Sequence, residues 1–251
     1  MCKEYKVDVL VLGEHENIDE NLTRSRFADS DINYKFEYID KKSKVMVIRR
    51  ADIKCSIIRD GFRYSVYKIK LQNNFSILLF AVHFPCRSYR TASELATLST
   101  RIISEIKSIE KETEISNSLV VGDFNMNPFS AGMIDVYGFN SVMCKNTALK
   151  ESRVIDGEII RYYYNPMWHL MGNKDNDILG SYYHHKNACS YVWNTFDQVI
   201  LRPNLISLFE EDKLQIITSF SNHLLIDSHG RPNKKRYSDH MPLMFEIREE
   251  N

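Results

Sequence analysis

The sequence predicts an α/β chain built on two packed sheets with helices outside them. Short apolar runs of strand length recur along most of the 251 residues, and only one long stretch has clear helical spacing. Many strands with few helices fit a two-sheet core, whereas a doubly wound parallel sheet needs a helix after nearly every strand. A hydrophobic share of 43% is enough for a sizeable core, and residues 1–251 are read as one domain.

Taken in order, Val7 to Leu12 is apolar throughout, as expected of a strand buried on both faces. It ends in the polar cluster Gly13-Glu14-His15-Glu16-Asn17, and Asn17 to Ser30 reads as loop or a short helix. Tyr34 to Ile39, Lys44 to Arg49 and Lys54 to Ile58 read as short strands between charged turns that include Lys41-Lys42. Phe62 to Leu71 and Phe75 to Val82 flank Asn73-Asn74, a hairpin signal, and the second strand exits at His83-Phe84-Pro85. Thr91-Ala92-Ser93-Glu94 is a capping box, and Leu95, Leu98, Ile102, Ile106 and Ile109 then mark one face of a helix. Leu119 to Val121 is a buried strand closed by Gly122, with a short helix expected over Phe129 to Tyr137. Tyr191 to Leu201, Leu214 to Thr218 and Leu243 to Ile247 complete the strands.

The formal charge is zero, from 33 basic and 33 acidic residues, so no global electrostatic argument for a polyanion follows. Cys2, Cys55, Cys86, Cys144 and Cys189 are scattered without C-x-x-C spacing, which argues against a disulfide framework or structural zinc. No apolar run approaches the roughly 18 residues of a membrane span. The expected location is cytoplasmic.

Polar groups gather at strand exits: Glu14, His83, Asp123 with Asn125, Asp197, and Asp239 with His240. Each alone has an ordinary explanation, since Asp and Asn are common turn formers after strands. Together they supply what phosphodiester hydrolysis needs: carboxylates for a cation and a water, and histidines for phosphate oxygens.

The segments Asp8-Val9-Leu10-Val11-Leu12-Gly13-Glu14, Ala81-Val82-His83, Gly122-Asp123-Phe124-Asn125, Phe196-Asp197-Gln198-Val199 and Ser238-Asp239-His240-Met241-Pro242-Leu243 span nearly the whole chain. In order and spacing they resemble the endonuclease/exonuclease/phosphatase superfamily, which includes DNase I, abasic-site nucleases, inositol polyphosphate 5-phosphatases and bacterial sphingomyelinases. The resemblance implies a four-layer α/β sandwich of two packed mixed sheets flanked by helices. It implies Glu14 as the main ligand of Mg²⁺, or Mn²⁺ in its place, with Asp239 a second ligand or partner. Asp123 would orient or deprotonate the water, and Asn125 would hold it and the phosphate. His240 would contact a phosphate oxygen with Asp197 on its other nitrogen, and His83 would be a general acid or phosphate clamp. One departure stands out. The family opens with a further strand ending in an asparagine, and Met1 to Tyr5 offers no counterpart. Either this start lies downstream of the true one or the chain has lost part of its site, and a shortened chain is the expectation.

Three features bear on substrate. Arg87 and Arg90 follow His83 and could fork onto phosphates. Lys234-Lys235-Arg236 precedes Asp239 at the expected rim. The aromatic segment Tyr162 to Tyr183 could stack on bases, although aromatics more often pack as core. Nothing resembles the phosphoinositide pocket or membrane hairpin of lipid-cleaving members, so the expected function is a metal-dependent nuclease acting on DNA or RNA. A phosphatase or phosphodiesterase of a small molecule or lipid head group, and a degenerate binding protein, are the alternatives.

Overall fold

In the computed structural model, described for residues 1–14, 20–28, 32–37, 43–71, 75–172, 178–186 and 191–248, the expected alternation of strands and few helices is present. His15 to Asn17, Lys41-Lys42, Asn73-Asn74 and Cys189 lie outside the described residues. The first half runs β1 (Val9–Gly13), α1 (Glu20–Ala28), β2 (Tyr34–Glu37), β3 (Val45–Arg50), β4 (Lys54–Gly61), β5 (Tyr64–Lys70) and β6 (Ser76–His83). Then come α2 (Ala92–Thr113), β7 (Ser118–Asp123), α3 (Ala131–Ile134), β8 (Ser141–Val142) and α4 (Lys145–Ala148). β9 (Ser152–Ile155), β10 (Glu158–Arg161), β11 (Tyr163–Tyr164), α5 (Met167–Met171), β12 (Tyr182–Tyr183) and β13 (Trp193–Asn194) follow. The chain continues with β14 (Asp197–Leu201), β15 (Phe209–Ile216), β16 (Ser219–Phe220), β17 (His223–Leu224) and β18 (Leu243–Ile247).

The central sheet has seven strands in the order β4-β5-β6-β7-β14-β11-β8. It is mixed: β6 pairs parallel with β7, and β7 pairs antiparallel with β14. Continuous apolar strands serve two cores at once because successive side chains alternate faces. Ile77, Leu79, Ala81, Leu119, Val121 and Val199 face the inter-sheet core with Val45 and Val47 of β3. Leu78, Phe80, Val82, Val120 and Ile200 face the other way, against Leu95, Ile102, Ile106 and Ile109 of α2. The Thr91 capping box is formed in full. On the far side Phe27 of α1 packs edge-on to Tyr34 and Phe36 of β2.

The second sheet layer is in two antiparallel pieces, β1-β3-β2 and β15-β18. Among the described residues, β1 pairs only with β3 and β18 only with β15. Both strands line a cavity of about 1580 Å³ whose walls include Leu79, Leu119 and Val121.

Three elements differ from their sequence-based outlines. The single strand over Tyr191 to Leu201 is broken into β13 and β14, because Thr195 donates its N–H to Asn127 Oδ1 rather than to a neighbouring strand. The helix at Phe129 to Tyr137 shrinks to the four residues of α3. β15 begins at Phe209, five residues before the expected Leu214. The triple tyrosine is core: Tyr162, Tyr163 and Tyr164 are all buried, with Tyr163 under the Arg202 guanidinium at 4.1 Å. Arg202 in turn holds Glu110 of α2 by two bonds of 2.9 and 3.1 Å, fixing the helix to the sheet.

Gly122, just before the carboxylate of Asp123, has φ of +141°, and a Cβ there would lie 1.9 Å from the Val82 carbonyl oxygen. Gly122→Ala is therefore expected to cost about 3 kcal/mol or more, from a forbidden conformation and a backbone clash together. A denaturant melt checks this; a loss below about 1 kcal/mol would show that β6 and β7 can part without penalty.

Candidate active site

Strand register brings three of the singled-out residues side by side. His83 at the end of β6 is the register partner of Asp123 on β7, and Asp123 is the partner of Asp197 on β14. The ends of adjacent strands thus present a histidine and two carboxylates at one edge, where α/β proteins place their sites. His240 arrives from the opposite side through an isolated bridge to Tyr182. Its Nδ1 lies 2.7 Å from Asp197 Oδ2.

Asp123 and Asn125 form a closed local unit. The Asn125 backbone N–H donates to Asp123 Oδ1 at 2.7 Å, and its side-chain Nδ2 donates to Asp123 Oδ2 at 2.7 Å and to the Phe84 carbonyl at 2.9 Å. Asn125 sits at φ of +49°, a left-handed conformation that asparagine tolerates better than most residues. Both amide hydrogens are committed, so Oδ1, an acceptor, is the atom left to face the site. Gripping a phosphate oxygen with this amide requires giving up one of those bonds. The Phe124 N–H donates to the Phe196 carbonyl at 2.9 Å, tying the unit to the strand before Asp197.

Electrostatics separates the four titratable groups. Burial and the neighbouring Asp197 charge push the Asp123 carboxyl up to about 7. Burial also opposes ionisation of Asp197, but the His240 charge and hydrogen bonds from His240 and Ser181 outweigh it and hold that carboxyl below its ordinary range. Burial alone would lower His240; Asp197 reverses this by charge and hydrogen bond, and pushes the imidazole up to about 10. His83 goes the other way, to about 4, through burial and the positive charges of Arg63 and His240. Near neutral pH the site therefore holds an imidazolium at His240, a neutral imidazole at His83 and a carboxyl at Asp123 close to its midpoint.

Glu14 and Asp123 flank His83 Nε2, each at 3.6 Å. Glu14 ends β1 in a left-handed turn, its N–H donating to the Lys44 carbonyl, with the side chain 79% exposed. Asp239 points to the rim, where Lys234 Nζ lies 3.3 Å away. Arg87 lines the cavity shared by Asp123, Asp197 and His240, on an exposed loop. Among the described residues, Asp123, Asp197 and His240 are the group of three metal-capable side chains with ligand atoms within 4.8 Å of one another. Glu14 and Asp239 are not brought into that group.

Sequence reasoning missed two supports. Ser181, fully buried, accepts the Asp197 N–H at 3.0 Å, and its own carbonyl accepts the Met241 N–H at 2.7 Å. It joins the two strand ends that carry Asp197 and His240, yet a lone serine gives no pattern to read. The Tyr182 ring stacks on Phe196 at 5.3 Å and tilts over His240 at 4.9 Å. Its place in an aromatic-rich stretch was visible; its partner was not.

No protein-family model and no curated protein matches the sequence. Solved structures do match in shape. A truncated Caenorhabditis elegans TDP2 aligns with a TM-score of 0.53 at 16% identity, over 98% of this chain and 87% of that one. The endonuclease domain of TRAS1, a telomere-specific non-LTR retrotransposon, aligns at 0.54 and 11% identity, over 100% of this chain and 90% of that one. An endonuclease/exonuclease/phosphatase family protein from Bacteroides thetaiotaomicron aligns at 0.52 and 13%, over 98% and 85%. Among the described residues no helix is long and apolar enough to cross a membrane. The chain shares the DNase I-like α/β fold of these structures.

Proposed function

We propose that the protein is a divalent-metal-dependent phosphodiester hydrolase, a nuclease acting on DNA or RNA. The observation that carries this reading is the opposed pair at the strand ends: an imidazolium held by Asp197 beside a carboxyl at Asp123 poised near neutrality. An anion-binding cation next to a group able to take a proton is what in-line attack of water on a phosphodiester uses. Asp123 accepts the water's proton while Asn125 Oδ1 receives its other hydrogen. His240 donates from Nε2 to a non-bridging oxygen, because Nδ1 is occupied by Asp197. That the TRAS1 structure is an endonuclease domain supports nucleic acid over other phosphoesters.

The donor chemistry fits Mg²⁺ or Mn²⁺: Glu14, Asp123 and Asp239 offer hard carboxylate oxygens to one cavity. Of the compact group of three, His240 is ill suited, since its Nδ1 is engaged and its raised pKa retains the proton. Glu14 is therefore the residue we assign as principal ligand, with Asp239 at the open side. When bound, the metal neutralises charge on the phosphoryl oxygens and the leaving alkoxide.

Two measurements test this. Turnover of bis(4-nitrophenyl) phosphate is expected with Mg²⁺ or Mn²⁺, abolished by EDTA and restored by metal; turnover of only the monoester analogue would favour a phosphatase. Metal affinity by calorimetry is expected to rise about tenfold from pH 6 to pH 8 and then level. The sign follows from Asp123: its raised carboxyl is protonated below about 7, and a nearby cation favours the ionised form. Glu14→Gln is expected to weaken binding at least about tenfold, and unchanged affinity would remove Glu14 from its role.

A further inference from the structure

A second cavity, of about 810 Å³, adjoins the site and shares Glu14, His83 and Cys86 with it. It lies between the β4–β5 turn and the first turns of α2, and four basic residues line it: Lys44, Arg63, Arg90 and Arg101. None belongs to the catalytic pair described above.

Arg63 is the most informative of them. It occupies the hairpin turn at φ of +71°, and its carbonyl accepts the His83 N–H at 3.0 Å, so its position is locked to the strand end that carries the site. Among the described residues its Nε is buried without a hydrogen-bond partner, and its guanidinium lies over the Phe62 ring, 5.5 Å from the centroid. Burial and the nearby Arg90 depress its pKa, and the Glu14 carboxylate at the same cavity only partly offsets them. Arg90 is already bonded to Glu94 at 2.8 Å, and Glu94 is engaged in the Thr91 cap as well. Arg101 stands exposed on the helix face at the same cavity. A buried donor left unmade costs free energy, and a planar guanidinium fork suits phosphate geometry.

The rim is aromatic. Tyr89 is 82% and Phe62 63% exposed, large rings that a soluble surface gains nothing by presenting. Ring faces beside a cavity with several basic side chains and room for more than a phosphate suit a nucleobase, because stacking tolerates any base.

We propose that this cavity is a subsite for a second nucleotide of the substrate, with its phosphate on Arg63 and Arg101 and its base against Tyr89 or Phe62. The inference rests on the nuclease reading but names what that reading leaves open: a strand continuing past Glu14 and His83 in unpaired form. Double-stranded substrate would have to open there to present the base.

Equilibrium binding without turnover tests it. Fluorescein-labelled trithymidylates lacking terminal phosphate, or carrying one at the 5′ or the 3′ end, are titrated in EDTA by fluorescence polarisation. One of the two phosphates is expected to tighten binding about tenfold in the wild type. In Arg63→Gln and in Arg101→Gln that gain is expected to fall below about twofold, with Arg63→Lys between. Replacing the terminal base by an abasic residue, or Tyr89→Ala together with Phe62→Ala, is expected to remove the base-dependent part. The proposal is overturned if neither phosphate improves wild-type binding, or if both variants keep the wild-type gain. Arg101→Gln guards against misfolding of the buried Arg63 variants. A phosphate gain without turnover of any phosphoester would leave this subsite standing and remove the hydrolase reading; turnover without the gain would do the reverse.

Discussion

Asp123→Asn is expected to lower metal-dependent hydrolysis at least about a thousandfold while leaving the fold intact. Loss of a positioned general base accounts for about 10²–10⁴ in rate. The change is nearly isosteric, and the Asn125 N–H can still reach the new carbonyl oxygen. One contact does suffer: Asn125 Nδ2 now donates to Asp123 Oδ2 at 2.7 Å and would meet an NH₂ group instead. A modest loss of stability is therefore part of the expectation. The checks are a thermal melt by circular dichroism beside kcat on bis(4-nitrophenyl) phosphate. Activity within about tenfold of wild type, with an unchanged melt, would move the proton acceptor elsewhere.

The second large effect concerns Asp197. In the wild type His240 stays protonated up to about 10, so the alkaline limb of the pH–rate profile is expected there. Asp197→Asn removes the charge that raises it, and the limb is expected to fall toward the ordinary histidine value of about 6.5, leaving little activity at pH 8. Stability carries the same signature. A folded-state pKa above the unfolded value gives stabilisation that is complete below about 6.5 and is lost as pH rises through about 10. Asp197 works at the other end: its depressed carboxyl stabilises above about 4, and that contribution is lost as pH falls. Denaturation midpoints from about pH 2 to about pH 11, in wild type and variant, measure both. A variant whose alkaline limb does not move would dissociate the pair from function.

Much of this was readable because strand exits announce themselves. Gly122-Asp123-Phe124-Asn125 combines an apolar run, a terminating glycine and polar groups, and its place at the end of β7 follows from those signals. The helix α2 was equally plain, since its cap and its apolar stripe agree. What stayed hidden was set by long-range contacts. Nothing local says that Asp197 and Asp123 are in register, or that Ser181 bridges Asp197 and Met241. The break between β13 and β14 depends on Asn127, 68 residues away in sequence, satisfying the Thr195 N–H. Arg63 looked like one more charged residue of a hairpin. Its meaning comes from a buried Nε that finds no acceptor among the described residues.

Among the described residues β1 and β18 line one cavity without sharing a ladder. Glu14 is the most exposed of the carboxylates assigned to the cation, at 79% against 47% for Asp239 and 12% for Asp123.

The most direct test is a cleavage panel under one condition. Supercoiled plasmid, single-stranded oligonucleotide, RNA and inositol phosphates are incubated with Mg²⁺ or Mn²⁺, with and without EDTA, using wild type and His240→Gln. The account predicts metal-dependent scission of at least one nucleic acid, abolished by EDTA and by the substitution, with no phosphate released from the inositol phosphates. Saturable metal binding with every nucleic acid left whole would contradict it.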